Sequence, residues 1–256
     1  MMRRIHHVGI VVRHLSEAYR FYRDVLGLPL VTEAELPDQG VRAALLAAGE
    51  SEIELLEPLG AATPVGRFLG RRGEGLHHLC FETPDVSQAL AVLKERSVPL
   101  IDTTPRSGLA GQIAFLHPAA CSGVLVELAT PGDAAGGELP DEAAPLRLKR
   151  LVIGTQDVRA TAGVFQSLFG LQEVAMNGGP RTMLAVGRGT LLVVPAHEIG
   201  GTTGMVALSF VAEDFPALTT ALRKAGTPRL DGTGEVTVEP AGSHGVHLHI
   251  SRYMFP

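Results

Sequence analysis

Two stretches, Arg4-Ile-His-His-Val-Gly-Ile-Val-Val12 and Gly75-Leu-His-His-Leu-Cys-Phe-Glu82, run apolar–His–His–apolar into a hydrophobic strand. Strand side chains alternate faces, so the second histidine of each pair, His7 or His78, points opposite to the first. Two further strands each carry an acid among apolar neighbours: Glu54 in Ser51-Glu-Ile-Glu-Leu-Leu56, and Glu127 in Gly123-Val-Leu-Val-Glu-Leu128. Four strands that each turn one imidazole or carboxylate toward a core suggest a metal cup.

Working outward, the order of elements around these stretches is β-α-β-β-β. Residues 5–12 read as a strand, and Leu15 to Leu26 as an amphipathic helix with Ser16 as N-cap and Gly27 past its end. Leu28–Glu33, Gly40–Ala48 and Glu52–Leu56 read as strands. The order then repeats. His77–Glu82 is a strand, and a helix runs from Asp85 to about Arg96 with Leu90, Val92 and Leu93 inward. Strands follow near Pro99–Asp102, Gln112–His117 and Gly123–Ala129, with a flexible loop at 104–111. Residues 131–145 are acidic and rich in Gly, Pro and Ala, the composition of a linker. Beyond it the pattern returns weakly. Phe169-Gly-Leu171 matches Leu26-Gly-Leu28, Gly189–Pro195 matches Glu52–Pro58, and Val246–Ser251 matches Val124–Ala129. Four βαβββ units paired into two α+β domains are expected: a metal-binding domain at 1–130, a linker at 131–147, and a second domain at 148–256 without a metal site.

Composition narrows the function. The 256 residues are 45% apolar, ample for two domains with real cores. The net charge is −5 and there is no basic block, which argues against nucleic acid. No apolar run approaches the roughly 18 residues of a membrane helix. The N-terminus lacks the apolar core of a signal peptide, and Cys80 and Cys121 are too few for a disulfide framework, so a reducing cytoplasm is expected.

These motifs resemble the vicinal-oxygen-chelate superfamily of glyoxalases, bleomycin-type resistance proteins and extradiol dioxygenases. Residues 4–130 are similar to methylmalonyl-CoA epimerase through Ile5-His-His-Val-Gly-Ile10, Phe21-Tyr-Arg-Asp-Val-Leu-Gly27, Gln39-Gly-Val41, Ile53-Glu-Leu-Leu-Glu-Pro58, Gly75-Leu-His-His78, Phe115-Leu-His-Pro118 and Gly123-Val-Leu-Val-Glu127. The resemblance implies metal ligands at His7, Glu54, His78 and Glu127, holding one divalent ion (Co²⁺, Ni²⁺, Zn²⁺, Fe²⁺ or Mn²⁺). It also implies proton transfer beside a carbonyl, with Glu127 as the base, on a small-molecule substrate such as a CoA thioester. One departure is Ala43, where the epimerase places a catalytic glutamate. In the C-terminal half the ligand positions fall on Arg150, Leu191, Ala207 and His249. The roles open to that half are closing the cup, forming a homodimer or setting substrate shape. A glyoxalase-like lyase or isomerase fits the same ligand set, and a resistance-type binding protein would need no metal. An extradiol dioxygenase would use two His and one carboxylate, so Glu54 argues against it.

Other polar residues read as structural. Cys80 borders the cup as a small apolar residue, and His6 and His77 face away from it. His247 and His249 lack matching partners. Arg106 reads as a solvated loop charge that could also meet an acidic substrate.

Overall fold

A computed structural model describes residues 2–132 and 144–252, so residues 133–143 of the expected linker lie outside the described residues. The first module comprises β1 (Ile5–Val11), α1 (Leu15–Tyr19), β2 (Leu30–Leu36), β3 (Val41–Ala48) and β4 (Ser51–Pro58), followed by an extra helix α2 (Pro64–Arg72). The second comprises β5 (Gly75–Glu82), α3 (Val86–Glu95), β6 (Arg106–Gly108), β7 (Gly111–Leu116) and β8 (Val126–Thr130). The third comprises β9 (Leu146–Thr155), α4 (Val158–Phe169), β10 (Gln172–Val174), β11 (Thr182–Val186) and β12 (Gly189–Pro195). The fourth comprises β13 (Gly204–Ala212), α5 (Phe215–Lys224), β14 (Arg229–Gly232), β15 (Glu235–Val238) and β16 (His247–Ser251). Among the described residues no helix is long and apolar enough to cross a membrane.

The strands form two eight-stranded sheets, ordered β2-β3-β4-β1-β5-β8-β7-β6 and β10-β11-β12-β9-β13-β16-β15-β14. The two orders are one permutation used twice, which is the fourfold repeat in structural form. In both sheets the first and last strands of each module occupy the four central places.

Packing divides the described residues into two compact units. One takes residues 2–7, 78–132 and 150–206, and the other takes 8–77, 144–149 and 207–252. The first unit is centred on Phe81, Phe165 and Phe169, with ring centroids 5.0 Å apart for Phe81–Phe169 and 5.7 Å for Phe165–Phe169. The second buries Tyr22 fully, and the Tyr22 hydroxyl donates to the Ser243 carbonyl at 2.9 Å. With no Trp in the chain, these rings and the β-branched strands supply the core.

Several local expectations are corrected. The helix after β1 is α-helical only to Tyr19 and continues as a π-turn over Arg20–Val25. Its N-cap is His14, which makes no side-chain cap bond, in place of Ser16. Val92 is 48% exposed, because it lies off the Val86–Leu90–Leu93 stripe that α3 buries. No strand forms at Pro99–Asp102, where Leu100 makes one isolated bridge to Leu116. The strand is β6, inside the expected loop. Helix α2 was not anticipated from the sequence. Thr63 caps it by accepting from the Gly66 N–H, Pro64 opens it, and Gly66 lies so close to Gly60 that a Cβ would sit 2.1 Å from that carbonyl oxygen.

Candidate metal centre

Strand pairing carries the candidate ligands to one place. β5 and β8 run parallel with Cys80 beside Glu127. His78 lies two residues before Cys80 and therefore shares its face with Glu127. His7 comes from β1, which lies between β4 and β5 in the strand order. His7, His78 and Glu127 are 0%, 2% and 3% exposed.

The Nε2 atoms of His7 and His78 face each other at 2.9 Å, with ring planes at 87°. Glu127 closes the group, Oε2 standing 3.4 Å from His78 Nε2 and Oε1 3.9 Å from His7 Nε2. Burial, then the neighbouring His78 and His6 imidazoles, then Arg4, hold His7 well below the usual histidine range. Its ring is therefore neutral near pH 7 and has a lone pair to offer. Two imidazole nitrogens and a carboxylate converging in a dry site are a donor set for a divalent transition ion, and the residues present fit one.

Glu54 is 6% exposed on β4 opposite Leu45, and Ala43, two residues along β3, is fully buried on the same face. The strand order places β4 next to β1, so the strands bearing Glu54, His7, His78 and Glu127 are four consecutive neighbours.

The surroundings add Phe115, the Arg4–Glu82 pair and Glu52, which the sequence alone does not single out, and pair Arg106, which reads in sequence as a solvated loop charge, with Asp102. Phe115 packs edge-on to His78 at 5.3 Å and fixes its ring. Arg106 lies over the Phe115 ring, at 5.4 Å, and its Nε donates to Asp102 at 3.2 Å. Arg4 and Glu82 form a buried ion pair at 2.6 Å between β1 and β5. The signal for that pair was an acid closing one motif and a base opening the other. Glu52, buried two residues before Glu54, shares its face. His6 is buried with Nδ1 3.0 Å from His7 Nδ1, and His77 packs against Phe68. Cys80 is buried in a small apolar cluster with Ala110, Ile113 and Ala129, and its Sγ lies 3.6 Å from Glu127 Oε1.

The second sheet repeats the pairing with other residues. Ser209 lies beside His249 as Cys80 lies beside Glu127, so Ala207 and His249 hold the places of His78 and Glu127. The sequence match of Leu191 with Glu54 is off by one. The β3–β4 hairpin closes at Ala48 and Ser51, and the β11–β12 hairpin at Val186 and Gly189. Counting from each turn, Glu54 corresponds to Leu192. Arg150 pairs with Thr190, which shares a face with Leu192, so Arg150 holds the place of His7. His247 and His249 stack at 4.8 Å on β16, and burial followed by His247 lowers the pKa of His249.

Comparison with known proteins agrees with this fold. The family described as the glyoxalase/bleomycin resistance protein/dioxygenase superfamily matches residues 6–115. The mitochondrial methylmalonyl-CoA epimerase of Bos taurus is 37% identical over 127 residues, covering 49% of this chain and 73% of that protein. A solved methylmalonyl-CoA epimerase in complex with methylmalonyl-CoA and NH4+ is 36% identical, with a TM-score of 0.51, covering 53% of this chain and 99% of that one. A triple mutant of 4-hydroxymandelate synthase from Streptomyces coelicolor shares the fold over 100% of this chain and 95% of its own, at TM-score 0.73 and 16% identity. The repeated strand order, the converging His and Glu side chains and these likenesses together make the chain a two-domain member of the glyoxalase/bleomycin resistance protein/dioxygenase superfamily, its N-terminal half homologous to methylmalonyl-CoA epimerases.

Proposed function

We propose that this chain is a metal-dependent enzyme of the epimerase type that moves a proton at a carbon beside a thioester carbonyl, on a substrate such as methylmalonyl-CoA. The observation that carries the reading is the approach of His7, His78 and Glu127 in a buried site within the epimerase-like half. In this reading His7, Glu54, His78 and Glu127 hold one divalent ion, Co²⁺, Ni²⁺, Zn²⁺, Fe²⁺ or Mn²⁺. The metal-binding domain is 1–130, with a linker at 131–147 and a metal-free domain at 148–256. When bound, the ion supplies Lewis acidity that makes the neighbouring C–H bond easier to ionise. The remaining work falls to the protein. Low exposure excludes water from the proton transfer. Phe115, itself packed by Arg106, holds the His78 ring in place. Glu127 takes the proton from the substrate carbon and returns one to the same face.

Ala43 supports a second reading, a glyoxalase-like lyase or isomerase, because no carboxylate stands where epimerases place their other base. The test is to load the full chain with Co²⁺, add methylmalonyl-CoA in heavy water and follow deuterium entry at the α-carbon. Entry that disappears in Glu127→Gln supports the epimerase reading. No entry into either epimer from a metal-loaded sample overturns it.

A further inference from the structure

The third module repeats the site of the first with its charge reversed. On β9, β11 and β12 one face is sealed: Leu151, Ile153, Leu184, Val186, Leu191 and Val193 are at most 3% exposed, and α4 packs on β11 and β12. The opposite face is open. Arg150, Val152, Met183, Ala185 and Thr190 are all partly exposed, and Leu192 lies at 9%. Arg150 lies on that face on β9, at the place His7 holds in the first module.

The guanidinium is held on one side only. Its Nε donates to Thr190 Oγ1 at 3.3 Å and an Nη2 hydrogen points to Met183 Sδ at 3.6 Å. An arginine carries five N–H donors in a planar fork, so three remain for an acceptor. No carboxylate pairs with Arg150 among the described residues, and burial alone lowers its pKa. A half-buried cation without a counter-charge is costly, and a bidentate oxyanion satisfies both its charge and its fork. The neighbours of Arg150 on that face include Met183, Val152, Ala185 and Leu192, all apolar, which suits an acid with a hydrocarbon tail better than a fully hydrated phosphate dianion.

We propose that Arg150, Thr190 and Met183 form an anion site on the open face of the third module, taking a small organic carboxylate with an apolar tail. The site is separate from the metal centre and does not depend on the proposed reaction.

The test uses the full chain carrying 13C-methyl methionine, stripped of metal by a chelator and titrated with sodium butyrate at constant ionic strength. The Met183 methyl signal, identified by its loss in Met183→Leu, is expected to shift saturably. Arg150→Gln should weaken binding about tenfold or more, the scale of one lost charge-assisted pair, with Arg150→Lys falling between. Should Arg150→Gln fail to fold, Thr190→Val keeps the cation and should weaken binding several-fold. An unmoved Met183 signal, binding that survives Arg150→Gln, or binding that appears only after metal is restored would overturn the proposal. Inorganic phosphate that displaces butyrate at equal concentration would also overturn it.

Discussion

The His78 imidazole faces both His7 and Glu127, at 2.9 Å and 3.4 Å, so its removal opens the centre on two sides. His78→Ala should lower the affinity for a divalent ion at least tenfold, since losing even an outer partner of a ligand costs about 10–100-fold. His249→Ala should leave metal content unchanged, because its sheet offers Arg150, Leu192 and Ala207 at the matching places. Metal analysis of both purified variants decides the matter, and metal lost with His249 refutes it. Epimerisation needs a proton removed on one face and delivered on the other, and Ala43 offers neither. The missing acid–base group is worth about 10²–10⁴-fold. Methylmalonyl-CoA in heavy water should therefore gain deuterium from one epimer and convert slowly to the other. Ala43→Glu should raise conversion more than exchange, and fast conversion by the unaltered chain would show that another group supplies the second proton. The candidate ligands were legible in the sequence because strand alternation needs only the strands to be right. The Leu191 match failed because it rests on a gapless alignment, whereas the residue facing inward is set by the hairpin turn, at Val186 and Gly189.

Among the elements, helices α3, α4 and α5 share one start signal, an aspartate whose carboxylate accepts from the N–H three residues on. Asp85 accepts from Gln88 at 3.1 Å, Asp157 from Ala160 at 2.9 Å and Asp214 from Ala217 at 2.9 Å. Changing any one to Ala should cost about 1 kcal/mol, a fall of roughly 2–4 °C in Tm for a chain of this size. A scanning calorimeter would check it, and three unchanged Tm values would refute it. These helices were legible because cap and apolar period agree. Helix α2 was not, since Gly66, Gly70 and three arginines at 67, 71 and 72 leave only the short apolar stripe Val65, Phe68 and Leu69 to read. The turn Pro118–Cys121 shows burial acting on chemistry: it buries Cys121 and pushes the thiol up from 9.0 to about 12. The unfolded thiol ionises near its ordinary pKa while the folded one stays protonated. Its contribution to stability is therefore present below about pH 9 and is lost as pH rises from there toward about 12. Iodoacetamide at pH 8 should leave Cys121 unmodified in the native chain and alkylate it after denaturation. Rapid native labelling, read by mass spectrometry, would contradict this burial.

For the whole molecule, the repeat of four modules and their pairing into two sheets were readable from sequence, but which residues bury each core was not. Periodicity reports which face of an element is apolar and says nothing of which other element covers it. Each compact unit draws on both halves of the chain. Phe81 in the first half packs on Phe169 at 5.0 Å, and the buried Tyr22 hydroxyl donates to Ser243. Solved epimerases matched over 99% of their length show that a chain equivalent to the first half suffices for that fold in those proteins. Here the corresponding surfaces of Tyr22 and Phe81 are sealed by residues beyond 144. A fragment of residues 1–131 would uncover both rings, each worth about 1.5–3 kcal/mol of burial. It should therefore unfold at a lower temperature than the full chain and associate with itself to cover the exposed aromatic surface. Size-exclusion chromatography coupled to light scattering should find the fragment larger than a monomer at micromolar concentration, and thermal unfolding should depend on that concentration. A monomeric fragment with the Tm of the full chain would mean that the two halves are stable independently. Phe81→Ala in the full chain would then cost far less than the roughly 3–5 kcal/mol expected of a fully buried phenylalanine.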